Sequence, residues 1–99
     1  MAKVIFRREA IDDLNDIWNY TFDEWSEKQA DKYYESLEFA CLQLGQNPEL
    51  GHEYDGINKN LLGMKTGKHI IFYQAINVNE IEIIRILHER MDWVNRLNK

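Results

Sequence analysis

Two apolar runs toward the C-terminal end leave this chain the least freedom. His69 to Ile76 and Ile81 to His88 are dense in Ile and aromatic residues, and only Asn77-Val78-Asn79-Glu80 separates them. Runs of that length and composition read as strands, and the short polar break reads as a hairpin turn. A third run, Leu61-Leu62-Gly63-Met64-Lys65, precedes them across the turn Thr66-Gly67-Lys68. A three-stranded antiparallel meander is therefore expected. In its last strand Ile81, Ile83, Arg85 and Leu87 point one way, and Glu82, Ile84, Ile86 and His88 the other. Apolar residues on both sides predict a strand covered on much of both faces.

The cover must come from the first half. Val4-Ile5-Phe6 suits a short first strand. Ile11, Leu14, Trp18, Phe22 and Trp25 then recur at helical spacing, with Asp12, Asp13, Asp16 and Asn19 placed on the solvent side. Ser26-Glu27-Lys28-Gln29 has the form of a capping box, in which the Ser26 hydroxyl accepts from the Gln29 amide. The helix it opens carries the stripe Ala30, Tyr33, Leu37, Ala40, Cys41, Leu44, with Gly45 as the expected C-cap and Asn47-Pro48 as the stop. Helices joined this closely form an antiparallel hairpin. Gly51, Asp55 and Gly56 mark a loop from 49 to 60. Met91, Trp93, Val94 and Leu97 suffice for a short terminal helix or docked tail. The expectation is an α+β fold, a single domain over residues 1–99.

Several function classes are disfavoured. The single cysteine, Cys41, cannot make an internal disulfide, and it reads as a small buried helix residue in a reducing compartment. No apolar run approaches the ~20 residues that span a bilayer, and Met1 to Arg8 is charged too early for a signal peptide. A cytoplasmic location is expected, without membrane association. The net charge is −5; residues 1–60 carry 13 acids against 6 bases, and residues 61–99 carry 4 against 6. Proteins built to hold nucleic-acid phosphates show a basic excess, so no sequence-specific nucleic-acid binding is expected. Zinc-ligand spacing, a Gly-rich phosphate loop and a Ser–His pairing are not found in the sequence. His52 beside Glu53 and Asp55 reads as a solvated loop, and no metal or cofactor is expected.

Five short motifs occur in order: Ala10-xx-Asp13-Leu14-xx-Ile17; Trp25-Ser26; Asn47-Pro48-Glu49-Leu50-Gly51; Gly67-Lys68-His69-Ile70-Ile71-Phe72-Tyr73; and Ile83-Ile84-Arg85-Ile86-Leu87-His88-xx-Met91-Asp92. Each is weak alone. As a set they resemble the RelE/ParE superfamily of bacterial toxins, most closely its ParE branch, over essentially the whole chain. The resemblance implies a toxin of a type II toxin–antitoxin pair, neutralised by a ParD-like antitoxin. It further implies a non-catalytic inhibitor that binds DNA gyrase. RelE-type relatives share the fold but cut mRNA in the ribosome, and Arg85 matches a position that is catalytic in them. The alternatives are thus a ribosome-dependent mRNA endonuclease and, in another class, an interaction module without toxicity.

Cutting RNA through its own 2′-hydroxyl needs a base, an acid and cations on the phosphate. Arg85, His88 and Lys65 are the residues for that reading, with Lys68, His69 and Arg90 as further candidates. Each has an ordinary structural use, and the acidic second helix (Glu27, Asp31, Glu35, Glu38) opposes rRNA at close range. For binding, the helix aromatics Trp18, Tyr33 and Tyr34, flanked by Tyr20 and Phe39, either complete the core or line a groove for an antitoxin helix. Arg85, interrupting an apolar strand, needs an acid from the helices or from an antitoxin. Arg90, Met91, Trp93 and Arg96 have the composition of an interface anchor and are the expected target-binding residues.

Overall fold

The computed structural model describes residues 2–97. Its elements are β1 (Lys3–Phe6), α1 (Arg8–Glu24), α2 (Glu27–Gln46), a 3-10 turn (Pro48–Leu50), β2 (Leu62–Thr66), β3 (His69–Asn77), β4 (Glu80–His88) and α3 (Trp93–Leu97). The strand, helical hairpin, meander and short terminal helix follow the order expected from the sequence. One pairing adds to it. β1 lies parallel to β4, from Lys3 opposite Glu80 to Phe6 opposite Ile83, so the sheet is mixed with order β1-β4-β3-β2.

Ser26 caps α2 as its side chain predicts, its hydroxyl accepting from the Gln29 amide at 3.1 Å. The expected cap at the other end is displaced. Gly45 lies inside α2, and the C-cap is Asn47, whose amide donates to the Gln43 carbonyl at 2.8 Å. Gly45 serves close approach instead: a Cβ there would sit 2.6 Å from Val4 Cγ2 and 2.9 Å from the Ala2 carbonyl oxygen. The missing side chain lets β1 lie against the helix, and the Ala2 amide donates to the Gly45 carbonyl at 2.7 Å.

The buried face of α1 is also rotated from the expected one. Ala10, Asp13, Leu14 and Ile17 are buried, whereas Ile11, Phe22 and Trp25 are 46%, 45% and 76% exposed. Trp18 is half-buried, stacked on Phe22, and its indole N–H donates to Asp31 Oδ1 at 2.9 Å. Two apolar stripes overlap on this helix. The one that faces the sheet includes a carboxylate, which apolar periodicity assigns to solvent.

One face of the sheet packs its side chains Ile71, Tyr73, Ile81, Ile83 and Ile86 against Ala10, Leu14, Ile17, Leu37, Cys41 and Leu44 of the hairpin. Ile70, Phe72, Ile84 and Leu87 belong to the other face, under Tyr54, Ile57, Leu61, Trp93 and Leu97. Both faces are therefore covered. The simple alternation expected along β4 fails because a bulge falls between Phe72 and Tyr73 of β3: Phe72 faces Arg85 while Tyr73 faces Ile83. The extra residue, Ile84, shifts the parity, so Ile81, Ile83 and Ile86 share the helix side.

Candidate functional site

β1 ends opposite Ile83, and beyond that point the edge of β4 has no strand partner. α1 supplies one. Asp13 Oδ2 accepts from the Ile86 backbone N–H at 2.9 Å, finishing the ladder with a side chain. The same carboxylate takes Arg85 in a fork: Nε to Oδ2 at 2.8 Å and Nη2 to Oδ1 at 2.9 Å. The pair is mostly shielded, with side-chain exposures of 22% for Arg85 and 11% for Asp13. The hydrogen bonds to Asp13 raise the guanidinium pKa further. Arg85 is thus an internal strut between α1 and β4.

Beside this strut lies a cleft of about 900 Å³ between the hairpin and the far ends of β3 and β4. Ile17 and Tyr20 of α1, Trp25 just beyond its end, Tyr33 of α2 and Met91 supply much of its wall. Its polar lining is Asp16, Thr21, Gln29, Lys68, His69, His88 and Arg90. Gly67, at φ +60°, turns the β2–β3 connection tightly over the Tyr33 ring, where a Cβ would meet Cε1 at 2.8 Å. Tyr33 Oη accepts from the Lys68 amide at 3.1 Å and lies 2.6 Å from His69 Nδ1. The His69 and His88 rings meet edge to face, with centroids 5.2 Å apart. Burial, aided by the nearby His88, pushes the His69 pKa from 6.5 down to about 4, against Asp13 and Glu89. His69 is therefore neutral at physiological pH. Burial also raises the Tyr33 pKa, so its phenol stays protonated beside His69 Nδ1.

The expected site residues are dispersed. Tyr33, His88, Arg90 and Met91 share the cleft. Arg85 is held by Asp13, and Lys65 Nζ is paired with Glu89 at 3.0 Å. Of the nuclease set Arg85, His88 and Lys65, only His88 lines the cleft. Tyr34 packs on the helix-side core, and Trp18 sits beside Phe22 and Asp31. Trp93 packs on the opposite face of the sheet, edge to face with Tyr54, its N–H donating to the His88 carbonyl at 3.1 Å. Arg96 is exposed on α3. Asp13, the residue that organises Arg85, was not singled out among the helix acids that Arg85 was expected to need; its place between Ala10, Leu14 and Ile17 was the signal that could have done so. Among the described residues no His, Cys, Asp and Glu cluster of three or more is placed to hold a metal ion, and no helix is long and apolar enough to cross a membrane.

A helix acid on a strand arginine thus locks the hairpin to the meander. The chain belongs to the family of ParE toxins of type II toxin–antitoxin systems, whose family model matches residues 4–93. It is 34% identical over 79 residues to Toxin ParE1 of Mycobacterium tuberculosis, covering 80% of this chain and 81% of that protein. Toxin ParE1 of Caulobacter vibrioides is 32% identical over 85 residues, 86% of each chain. Among solved structures, the chromosomal ParDE system from P. aeruginosa matches with a TM-score of 0.75 at 17% identity, over 89% of this chain and 96% of that one. That likeness supports the fold.

Proposed function

We propose that this ParE-family toxin acts in the cytoplasm by binding protein, inhibiting DNA gyrase, and that a ParD-like antitoxin neutralises it. The observation that carries the non-catalytic reading is the Asp13–Arg85 fork, which occupies two of the three guanidinium nitrogens and keeps them out of the cleft. General acid–base cleavage of RNA needs proton carriers and cations converging on one phosphate; here Arg85 and Lys65 are engaged by Asp13 and Glu89, and the groups left in the cleft, His69, His88, Lys68 and Arg90, lie beside Asp16 in a chain of net charge −5. The ParE family membership supports the toxin role, and the ParDE neighbour supports a ParD-like partner.

The test is a gyrase assay with the pure full-length chain. Supercoiling is expected to be inhibited, or cleaved DNA stabilised, and a co-purified ParD-like antitoxin is expected to abolish the effect. Codon-dependent mRNA cuts in a translation reaction would instead establish the endonuclease reading. Harmless expression without a partner would favour the interaction module.

A further inference from the structure

The cleft holds more hydrogen-bond donors than the chain itself uses. His88 Nδ1 accepts from the Arg90 backbone N–H at 3.1 Å, so the proton of the neutral ring is on Nε2. His69 Nδ1 accepts from Tyr33, whose proton has only a distant rival in the Thr66 carbonyl at 3.5 Å, so this ring too carries its proton on Nε2. Neither Nε2–H has a hydrogen-bonding partner among the described residues, and neither is sealed from solvent. The Lys68 ammonium and the Arg90 guanidinium likewise have no ion pair among the described residues. Two imidazole N–H groups and two cations on one side of a cleft call for an anion. They do not suit a metal ion, since both Nδ1 lone pairs are occupied and both Nε2 atoms are protonated.

The opposite side asks for something else. Tyr20 and Trp25, from the hairpin, are 66% and 76% exposed and line the same cleft, and Met91, next to Arg90, is 40% exposed. Large apolar side chains left this open mark a surface that gains by being covered. A polyanion fits poorly, because Asp16 lines the cleft and the chain carries −5 overall. A single carboxylate on an apolar segment satisfies both sides.

We propose that this cleft seats a segment of the antitoxin in which an Asp or Glu lies next to a large apolar residue. The carboxylate meets His69, His88, Lys68 and Arg90, and the apolar neighbour covers Tyr20 and Trp25. The occupant rests on the toxin–antitoxin reading above; the chemistry of the cleft does not.

The probe is an acetylated, amidated Leu-Glu-Trp-Leu peptide, titrated into the full-length chain while the imidazole signals of His69 and His88 are followed by NMR. Saturable shifts of both rings are expected, with the Gln twin of the peptide binding about tenfold more weakly. The double variant Lys68→Gln/Arg90→Gln, both sites at the surface, is expected to keep the wild-type Tm and lose a similar factor for the Glu peptide alone. Equal binding of the two peptides, or binding that leaves both imidazoles unmoved, would refute the carboxylate site. A single-stranded RNA that shifts the same rings at lower concentration overturns the peptide assignment. The antitoxin itself separates the two readings. If it restores growth yet binds the double variant as tightly as wild type, the cleft proposal falls and the toxin reading stands. If no antitoxin binds and growth is unaffected, the toxin reading falls and the occupant with it, while peptide discrimination would still establish the carboxylate site.

Discussion

The Asp13 carboxylate accepts three hydrogen bonds, and every donor belongs to β4. Removing it strands a shielded guanidinium and a strand-edge N–H at once. Asp13→Ala is expected to cost about 3 kcal/mol, since breaking one partner of a shielded pair leaves the other uncompensated. In a domain this small, that lowers Tm by on the order of 10–20 °C. Asp13→Asn keeps an acceptor for the Ile86 N–H and is expected to lose about half as much. Chemical denaturation of the three proteins checks the order. His69 makes a pH prediction at the same scale. Its folded pKa of about 4 lies below the 6.5 of an unperturbed ring, mainly through burial. Between those values the unfolded chain binds more protons. The stability contributed by a neutral His69 is therefore complete above 6.5 and lost as pH falls toward 4. His69→Asn preserves an acceptor for Tyr33 and has nothing to titrate. Its Tm deficit against wild type is expected to shrink from pH 7.5 to pH 5 in paired melts.

At the level of elements, packing overrules propensity most clearly in α2. Gly45 is inside a helix, where Ala is ordinarily better by about 1 kcal/mol. Here the added methyl would press on Val4 and on the Ala2 carbonyl, and β1 would have to move. Overpacking of that kind costs about 1–3 kcal/mol. Gly45→Ala is thus expected to destabilise on balance, and a Tm above wild type would contradict the close-approach role. The same residue shows how far the sequence could be read. The α2 stripe, the Ser26 cap and the three meander strands each follow from local spacing and were legible. The role of Gly45 depends on Val4, which is 41 positions away in the chain and adjacent only after folding. Asp13 failed to stand out for a like reason. Its partner is Arg85, 72 residues on, and a periodicity rule counts a carboxylate as solvent-facing. The bulge at Ile84 was invisible because an extra residue leaves no mark in a run already full of Ile. Of the candidate site, the side chains of the cleft were present as separate suspects, but their grouping required the third dimension.

Across the whole molecule the charge is the deciding quantity. Acids outnumber bases by 13 to 6 in residues 1–60, which supply the strand β1, the hairpin and the loop that follows it. At 0.15 M salt, where the Debye length is about 8 Å, the nearest acids act most strongly on the cleft, and Asp16 stands in its wall. No saturable binding of single-stranded RNA is expected at that ionic strength, and fluorescence anisotropy with a labelled oligonucleotide checks it. Tight RNA binding would mean that the local cations of the cleft dominate the global charge. The expected partners are proteins, with the exposed apolar residues of the cleft as contact surface.

The parallel pairing of β1 with β4 ties residues 3–6 to residues 80–83. During synthesis the first strand leaves the ribosome long before its partner exists. The hairpin can coil as it emerges, but its apolar face has no sheet to rest on until the chain is nearly finished. A stalled or truncated product therefore lacks both the closing strand and the Arg85 that Asp13 holds. A newborn chain gains the closing strand and the Asp13–Arg85 fork only once β4 has been made, and until then the apolar face of its hairpin stays uncovered.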